Sequence, residues 1–307
     1  MRLPIAQAHG QSAHASVWRT GPAFFALAEP CPRHVPLMPA LGIRRRMLCS
    51  SELGCVEDFH APGNCPAPCG HSAEYQVAFP YAGAFEWHAG VNTVFMDVAR
   101  VLFVVAGEDY ADSHVAGGGH DSVIVTPRLS LLQELCGYAM PSRHPAFQRV
   151  AKPTTPRMNV RIHRLLHLAA SGHDLLASDE LTIALLREAL APTRGVACAS
   201  SPRVVDRAKQ FLHAYLCEPI SLNEIAQAVH VSGAYLTDAF TRLEGVSLCR
   251  YRTRLRLNRA LVELPRCEGI TGLALDLGFS SHAHFSNAFK SQFGVSPSAF
   301  RADMRPA

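Results

Sequence analysis

The stretch that most limits what this chain can become is Ile270 to Arg301. It opens with apolar residues at Ile270, Leu273, Ala274 and Leu277. That i, i+3, i+4, i+7 spacing predicts a helix with one buried face. Gly278 ends it, because glycine accepts the left-handed backbone of a sharp turn. A second helix follows, with Phe285, Phe289 and Phe293 four residues apart on one side. Its other side carries His282, Ala283, Ser286 and Asn287, which are small or polar and poor material for a core. Two short helices with a tight turn and one wet face read as a helix-turn-helix.

The pattern is written twice. Leu222, Ile225, Ala226 and Val229 repeat the first helix at an offset of 48 residues. Leu236, Phe240, Gly245, Val246 and Ser247 match Phe285, Phe289, Gly294, Val295 and Ser296 at an offset of 49. Tyr251 and Arg252 match Phe300 and Arg301 at that same offset. One residue inserted in the second unit accounts for the difference, and the correspondence marks an internal duplication.

Two such units joined by a long helix, and ending in GFSSHAHFSNAFKSQFGVSPSAFR, resemble the DNA-binding domain of the AraC/XylS transcription regulators. The resemblance covers Val204 to Arg301, about a third of the chain. It implies that the second helix of each unit enters the major groove and that the joining helix sets the units about one DNA turn apart. By that resemblance Ala234, Thr237 and Asp238 face bases from the first unit, and His282, Ala283, Ser286 and Asn287 from the second. Base-edge chemistry supports the choice: Asn pairs bidentately with adenine, and Thr or Ala packs on a thymine methyl. Asp238 departs from the family, where many relatives carry Arg or another donor. It either accepts a hydrogen bond from cytosine N4 or holds a neighbouring arginine. Lys290 and the hydroxyls of Ser280 and Ser281 suit phosphate. Phe279, Phe285, Phe289, Phe293 and Phe300 are read as core.

Charge is distributed accordingly. From Ser201 onward there are 13 Lys+Arg against 9 Asp+Glu, whereas the first 200 residues hold 16 of each. The whole net charge of +4 therefore sits on the segment expected to meet phosphate. At 307 residues the chain has room for two cores. No apolar run reaches the ~18–20 residues of a membrane span, and the first twenty residues lack the apolar segment of a secretory signal. A cytoplasmic location is expected.

Four segments follow. Residues 1–43 are proline-studded and read as a poorly ordered extension, with Met38 and Met47 as alternative starts. Residues 44–128 are β-rich, with runs such as Val101–Val105 and Ser122–Val125 bounded by Gly, Pro and Asp. Residues 129–200 form a helical connector suited to dimerisation or to packing on the β domain. A helix is expected over Leu181–Leu190, with Ser178 near its start, and APTRGVACASS, from Ala191 to Ser201, has linker composition. Residues 201–307 form the DNA-binding domain, with a capping box at Ser221 and Glu224 and an arginine-rich joining helix from Cys249 to Glu263. The fold class is mixed: an N-terminal β-rich, cupin-like barrel or sandwich plus helices, then an all-α tandem helix-turn-helix domain. Metal-dependent cupins place His-x-His on one strand, and here His88 stands alone in FEWHAG, so no cupin metal enzyme is expected. Gly117–His120 reads as a turn between strands, since the Lys-Ser/Thr of a phosphate loop is missing.

Ten cysteines without an export signal argue against a disulfide framework. Four of them, Cys49, Cys55, Cys65 and Cys69, fall within 21 residues. Only Cys65 and Cys69 form a close pair, and they are the candidate ligands for a soft metal or the target of an oxidant. The alternative is ordinary loop cysteines near the edge of the β domain. A third reading takes the chain as similar to methyl phosphotriester repair proteins, which join a zinc-bound cysteine acceptor to an AraC-like domain but hold their zinc with two close pairs. His88, His114 and His120 are candidates to line an effector pocket, against the simpler reading of satisfied structural histidines. No catalytic constellation appears and no cofactor is expected. The expected protein is a non-enzymatic regulator whose partners are promoter double-stranded DNA, RNA polymerase, a small-molecule or metal effector and a second copy of the chain.

Overall fold

The computed structural model describes residues 42–63, 69–114, 118–172, 174–192 and 203–305. The described residues form nine strands: β1 (Arg44–Ser51), β2 (Gly54–Ala61), β3 (Cys69–Ser72), β4 (Gln76–Ala89), β5 (Asn92–Asp97), β6 (Arg100–Val104), β7 (Glu108–His114), β8 (His120–Pro127) and, after a first helix, β9 (Ala151–Pro153). All pairings are antiparallel. The main order is β1-β2-β8-β4-β6-β9, with β3 on β7, and β5 and β7 both on β4.

The 14-residue β4 organises this domain. Its first half, Gln76 to Gly83, pairs with β6 and β8; its second half, Ala84 to Ala89, pairs with β5 and β7. A bulge between Pro80 and Ala82 divides the halves. An extra residue bends a strand and lets it pass from one sheet to the next.

Period-two alternation then fixes two separate interiors. Val77, Phe79, Val101, Phe103, Val123 and Val125 point to one face and pack on helices. Ala78, Leu102, Val104 and Ile124, one position away, point to the other and share an apolar cluster with Phe59, Phe85 and Trp87. The helices on the first face are α1 (Leu129–Leu135), α2 (Pro156–Ser171) and α3 (Leu175–Leu190). Helix α3 starts earlier than its apolar pattern suggests. Asp174 is the cap, accepting from the amide of Ala177, and Ser178 lies buried inside the helix. Strand β9 is unexpected within the connector; three residues are too few to show a period.

Seven helices follow: α4 (Arg203–Ala214), α5 (Leu222–Ala228), α6 (Gly233–Glu244), α7 (Leu248–Glu263), α8 (Ile270–Asp276), α9 (His282–Phe293) and α10 (Pro297–Asp303). They bury two cores, and α7 serves both. Tyr251 and Leu255 join Leu212, Ile225, Leu236 and Phe240. Leu257, Ala260 and Leu261 join Leu273, Leu277, Phe285, Phe289 and Phe300. Phe279 is buried there too, and Phe293 packs against its edge. No helix among the described residues is long and apolar enough to cross a membrane.

Candidate nucleic-acid interface

Each unit builds its exposed helix in the same way. Helix α5 begins with a complete capping box, Ser221 accepting from the Glu224 amide while the Glu224 carboxylate accepts from the Ser221 amide. After it, His230 takes a left-handed φ of 60° and opens the turn into α6, which is capped by Ser232. In the second unit Gly278 holds that place with φ 78°, and α9 is capped by Ser281. His230 and Gly278 are 48 residues apart, Ser232 and Ser281 are 49 apart, so the extra residue lies in the second turn.

The repeated aromatic–arginine pairs explain the other half of the duplication. Tyr251 and Phe300 are both buried. Arg252 donates to the carbonyls of Leu216 (3.2 Å) and Ile220 (3.4 Å). Arg301 donates to those of Cys267 (2.6 Å) and Glu268 (3.3 Å). In each unit the guanidinium ties down the chain that leads into the first helix. Arg256 works between units, donating to Leu216 O at 2.8 Å and Gly278 O at 2.8 Å. These arginines of α7 are structural.

Ala234, Thr237 and Asp238 are exposed on α6, and His282, Ala283, Asn287 and Lys290 are exposed on α9. Ser286 is half-buried, its hydroxyl 3.3 Å from His282 Nε2. Thr237 Oγ1 donates to Gly233 O at 2.9 Å, so its hydroxyl is engaged by its own helix. Asp238 is ion-paired to Arg242 one turn along, both side chains about two-thirds exposed. Ser281 Oγ accepts from the His284 amide at 3.1 Å, and Ser280 Oγ lies 3.1 Å from His284 Nδ1. Both hydroxyls thus organise the start of α9 as well as facing solvent. Sequence reasoning passed over Tyr235, a 52% exposed aromatic beside Ala234. Its signal was a large apolar residue placed where the helix has no core to fill.

Residues 225–303 match a family model described as a helix-turn-helix domain. This is an AraC-type helix-turn-helix domain. The chain is 31% identical over 109 residues to the Msm operon regulatory protein of Streptococcus mutans, covering 35% of this chain and 39% of that one. It is 34% identical over 133 residues to the HTH-type transcriptional regulator ArgR of Pseudomonas aeruginosa, covering 42% and 40%. A crystal structure of a transcriptional regulator from Chromobacterium violaceum, with an AraC-type DNA-binding domain, is similar at 33% identity and a TM-score of 0.32. It covers 34% of this chain and 96% of that one. The chain spans about two fifths of the length of the two curated relatives.

The AraC-type domain does not stand apart from the strands. Val98 and Ala99, in the turn between β5 and β6, enter its first core. Beside them Asp97, fully buried, accepts from Tyr251 OH and lies 3.0 Å from His213 Nε2. Burial alone would raise this carboxyl; the hydrogen bond and charge of His213, with Lys209 and Tyr251, hold it well below the usual carboxylate range. On the second unit, Val160 of α2 packs against the core, and Arg164 pairs with Asp303 at 3.1 Å.

Within the β domain, the second interior contains a cavity lined by residues that include Arg45, Gln76, Trp87, Tyr110, Asp112 and His120. The indole of Trp87 and the ring of Tyr110 stack at 4.3 Å. Of the three histidines singled out from sequence, His120 lines this cavity and His114 lies beside it, ring nitrogens 3.1 Å apart. His88 instead bonds Thr93 and Ser113. Cys65 and the side chain of Cys69 lie outside the described residues. Cys49 and Cys55 sit on the β1–β2 hairpin and not in a loop, Cys49 buried in the core. Burial raises both thiols, so neither is a ready thiolate.

Proposed function

We propose that this chain is a transcription regulator that binds promoter DNA through α6 and α9 and is controlled by a ligand in the β domain. The observation that carries the reading is the matched pair of exposed helix faces, each set by a serine cap, a left-handed turn residue and an arginine tie. Non-polar Ala234 and Ala283 allow close approach to base edges, while Thr237 and Asn287 supply methyl and bidentate contacts. Lys290 and the serine hydroxyls at the start of α9 position the backbone. The buried polar group around Asp97 supports control. It joins the cavity-bearing domain to the helices α4 and α7 that carry the first reading helix, so a ligand that shifts the strands alters how the two units are presented. RNA polymerase and a second copy of the chain are further partners of such a regulator, and its place of action is the cytoplasm.

Selection of duplexes from a random library with the full chain tests this. Enrichment of two short elements about one DNA turn, ~10 base pairs, apart is expected. Salt-dependent binding with no enriched sequence would overturn it.

A further inference from the structure

We propose that Asp112, His114 and His120 form a binding site for a first-row divalent transition metal ion inside the β domain. One ligand atom from each residue can be chosen so that all three lie within 4.8 Å of one another. The arrangement comes from the strands. Asp112 and His114, two apart on β7, point to the same face. Their partners on β4 are Trp87 and Phe85. His120 opens β8 and pairs with Gly83 of the same β4. Gly83, at φ 72°, is required for that approach: a Cβ there would lie 1.9 Å from Gly119 O and 2.8 Å from His120 Cα.

What points to a ligand is the state of the polar atoms. The Asp112 side chain is 5% exposed, and its Oδ1 has no hydrogen-bond partner among the described residues. Its Oδ2 lies 3.7 Å from His120 Nε2. Nδ1 of His114 and the hydroxyl of Ser122, which also lines the cavity, are likewise buried without a partner among the described residues. A buried, unsatisfied carboxylate is costly unless a cation meets it. His120 is fixed by stacking on Phe85 at 3.9 Å.

The donor set selects the ion. Two imidazoles and one carboxylate suit zinc, iron(II), cobalt or nickel, whereas magnesium and calcium want oxygen alone. Metal–ligand bonds of about 2.0–2.2 Å place donors roughly 3–3.5 Å apart. The imidazole pair, at 3.1 Å, already meets this, and Asp112 needs a side-chain rotation. Three protein ligands leave coordination positions open toward the cavity, where an oxygen-donor effector would complete the shell.

Cobalt(II) added to the chelator-treated full chain provides the test, with its d–d absorption as readout. One equivalent is expected to bind without a sulfur-to-cobalt charge-transfer band. Binding should persist in a Cys65→Ser, Cys69→Ser double variant and weaken at least about tenfold in His114→Ala and in Asp112→Asn. Failure of the unaltered chain to bind, or a sulfur band lost in the double variant, would overturn the proposal. Failure of the unaltered protein to bind is decisive even where a variant misfolds, and no DNA is involved, so the result is independent of the regulator reading.

Discussion

The guanidinium of Arg100, at the start of β6, lies 2.7 Å from the carboxylate of Glu244, the last residue of α6. The same carboxylate pairs with Lys209, which is 0% exposed. One anion thus serves two cations, one from the β domain and one from the helix-turn-helix domain. The ammonium also sits 5.4 Å from the Phe95 ring and 5.9 Å from that of Tyr251, so aromatic faces from both parts surround it.

Glu244→Ala should therefore destabilise the chain by about 3–5 kcal/mol, since it removes one partner of a buried ion pair. Denaturant unfolding of the two proteins measures the difference. A change within about 0.5 kcal/mol, the range of an ordinary surface site, would show that the pair contributes nothing.

Asn287→Ala is expected to cost ~1–3 kcal/mol of binding and to relax preference at one base position. Competition with single-base variants of the selected site separates this from a positioning role, for which all sequences weaken equally.

Asp238→Ala releases Arg242, which is paired to it on the exposed side of α6. Affinity for all duplexes should rise, and the salt dependence should steepen by about one released counterion. If Asp238 instead reads cytosine, binding weakens and discrimination falls at one position.

Gly278→Ala should destabilise by about 2 kcal/mol or more. The added Cβ meets positive φ and falls 2.6 Å from Cys217 O and 2.5 Å from an Arg256 nitrogen. The equivalent residue His230 already holds φ 60°, so His230→Gly should change stability by less than about 1 kcal/mol. Thermal unfolding of both variants checks the contrast.

His163 lies buried on α2, edge-on to Tyr81, and burial lowers its ring to about 4. The unfolded chain binds this proton near pH 6.5, so stability falls as pH drops from about 6.5 to about 4. The total is roughly 3 kcal/mol. Asp97 acts in a separate window: its depressed carboxyl contributes stability above its unfolded value of about 3.9, which is lost only in stronger acid. His163→Phe should reduce the slope of stability between pH 6.5 and 4, the other burial-lowered histidines, His114, His120 and His144, keeping the rest; an unchanged slope there would assign the proton elsewhere.

The helix-turn-helix half was legible because its information is local. Apolar spacing placed α8 and α9, Ser221 and Glu224 announced a cap, and the duplication showed that Tyr251 and Arg252 mattered before their partners were known. The β domain was legible only as strands. His114 and His120 looked like isolated residues because a search for His-x-His does not find Asp-x-His on one strand with a second histidine on the next. Strand β9 and the early start of α3 were missed, the first for lack of length and the second because Leu175 and Leu176 are exposed and carry no core period.

By itself the sequence determined the repeated unit, its exposed helix faces and the segregation of positive charge, all of which follow from residue spacing within a few helical turns. The tertiary structure alone decided what meets across the chain. It brought Arg100 to Glu244, 144 residues apart, Asp97 to Tyr251, and Asp112 and His114 to His120. These contacts depend on how β4 bends between two sheets and on which turn enters which core. Such long-range pairings leave no period in the sequence, because each is fixed by the packing of elements and not by the residues beside it.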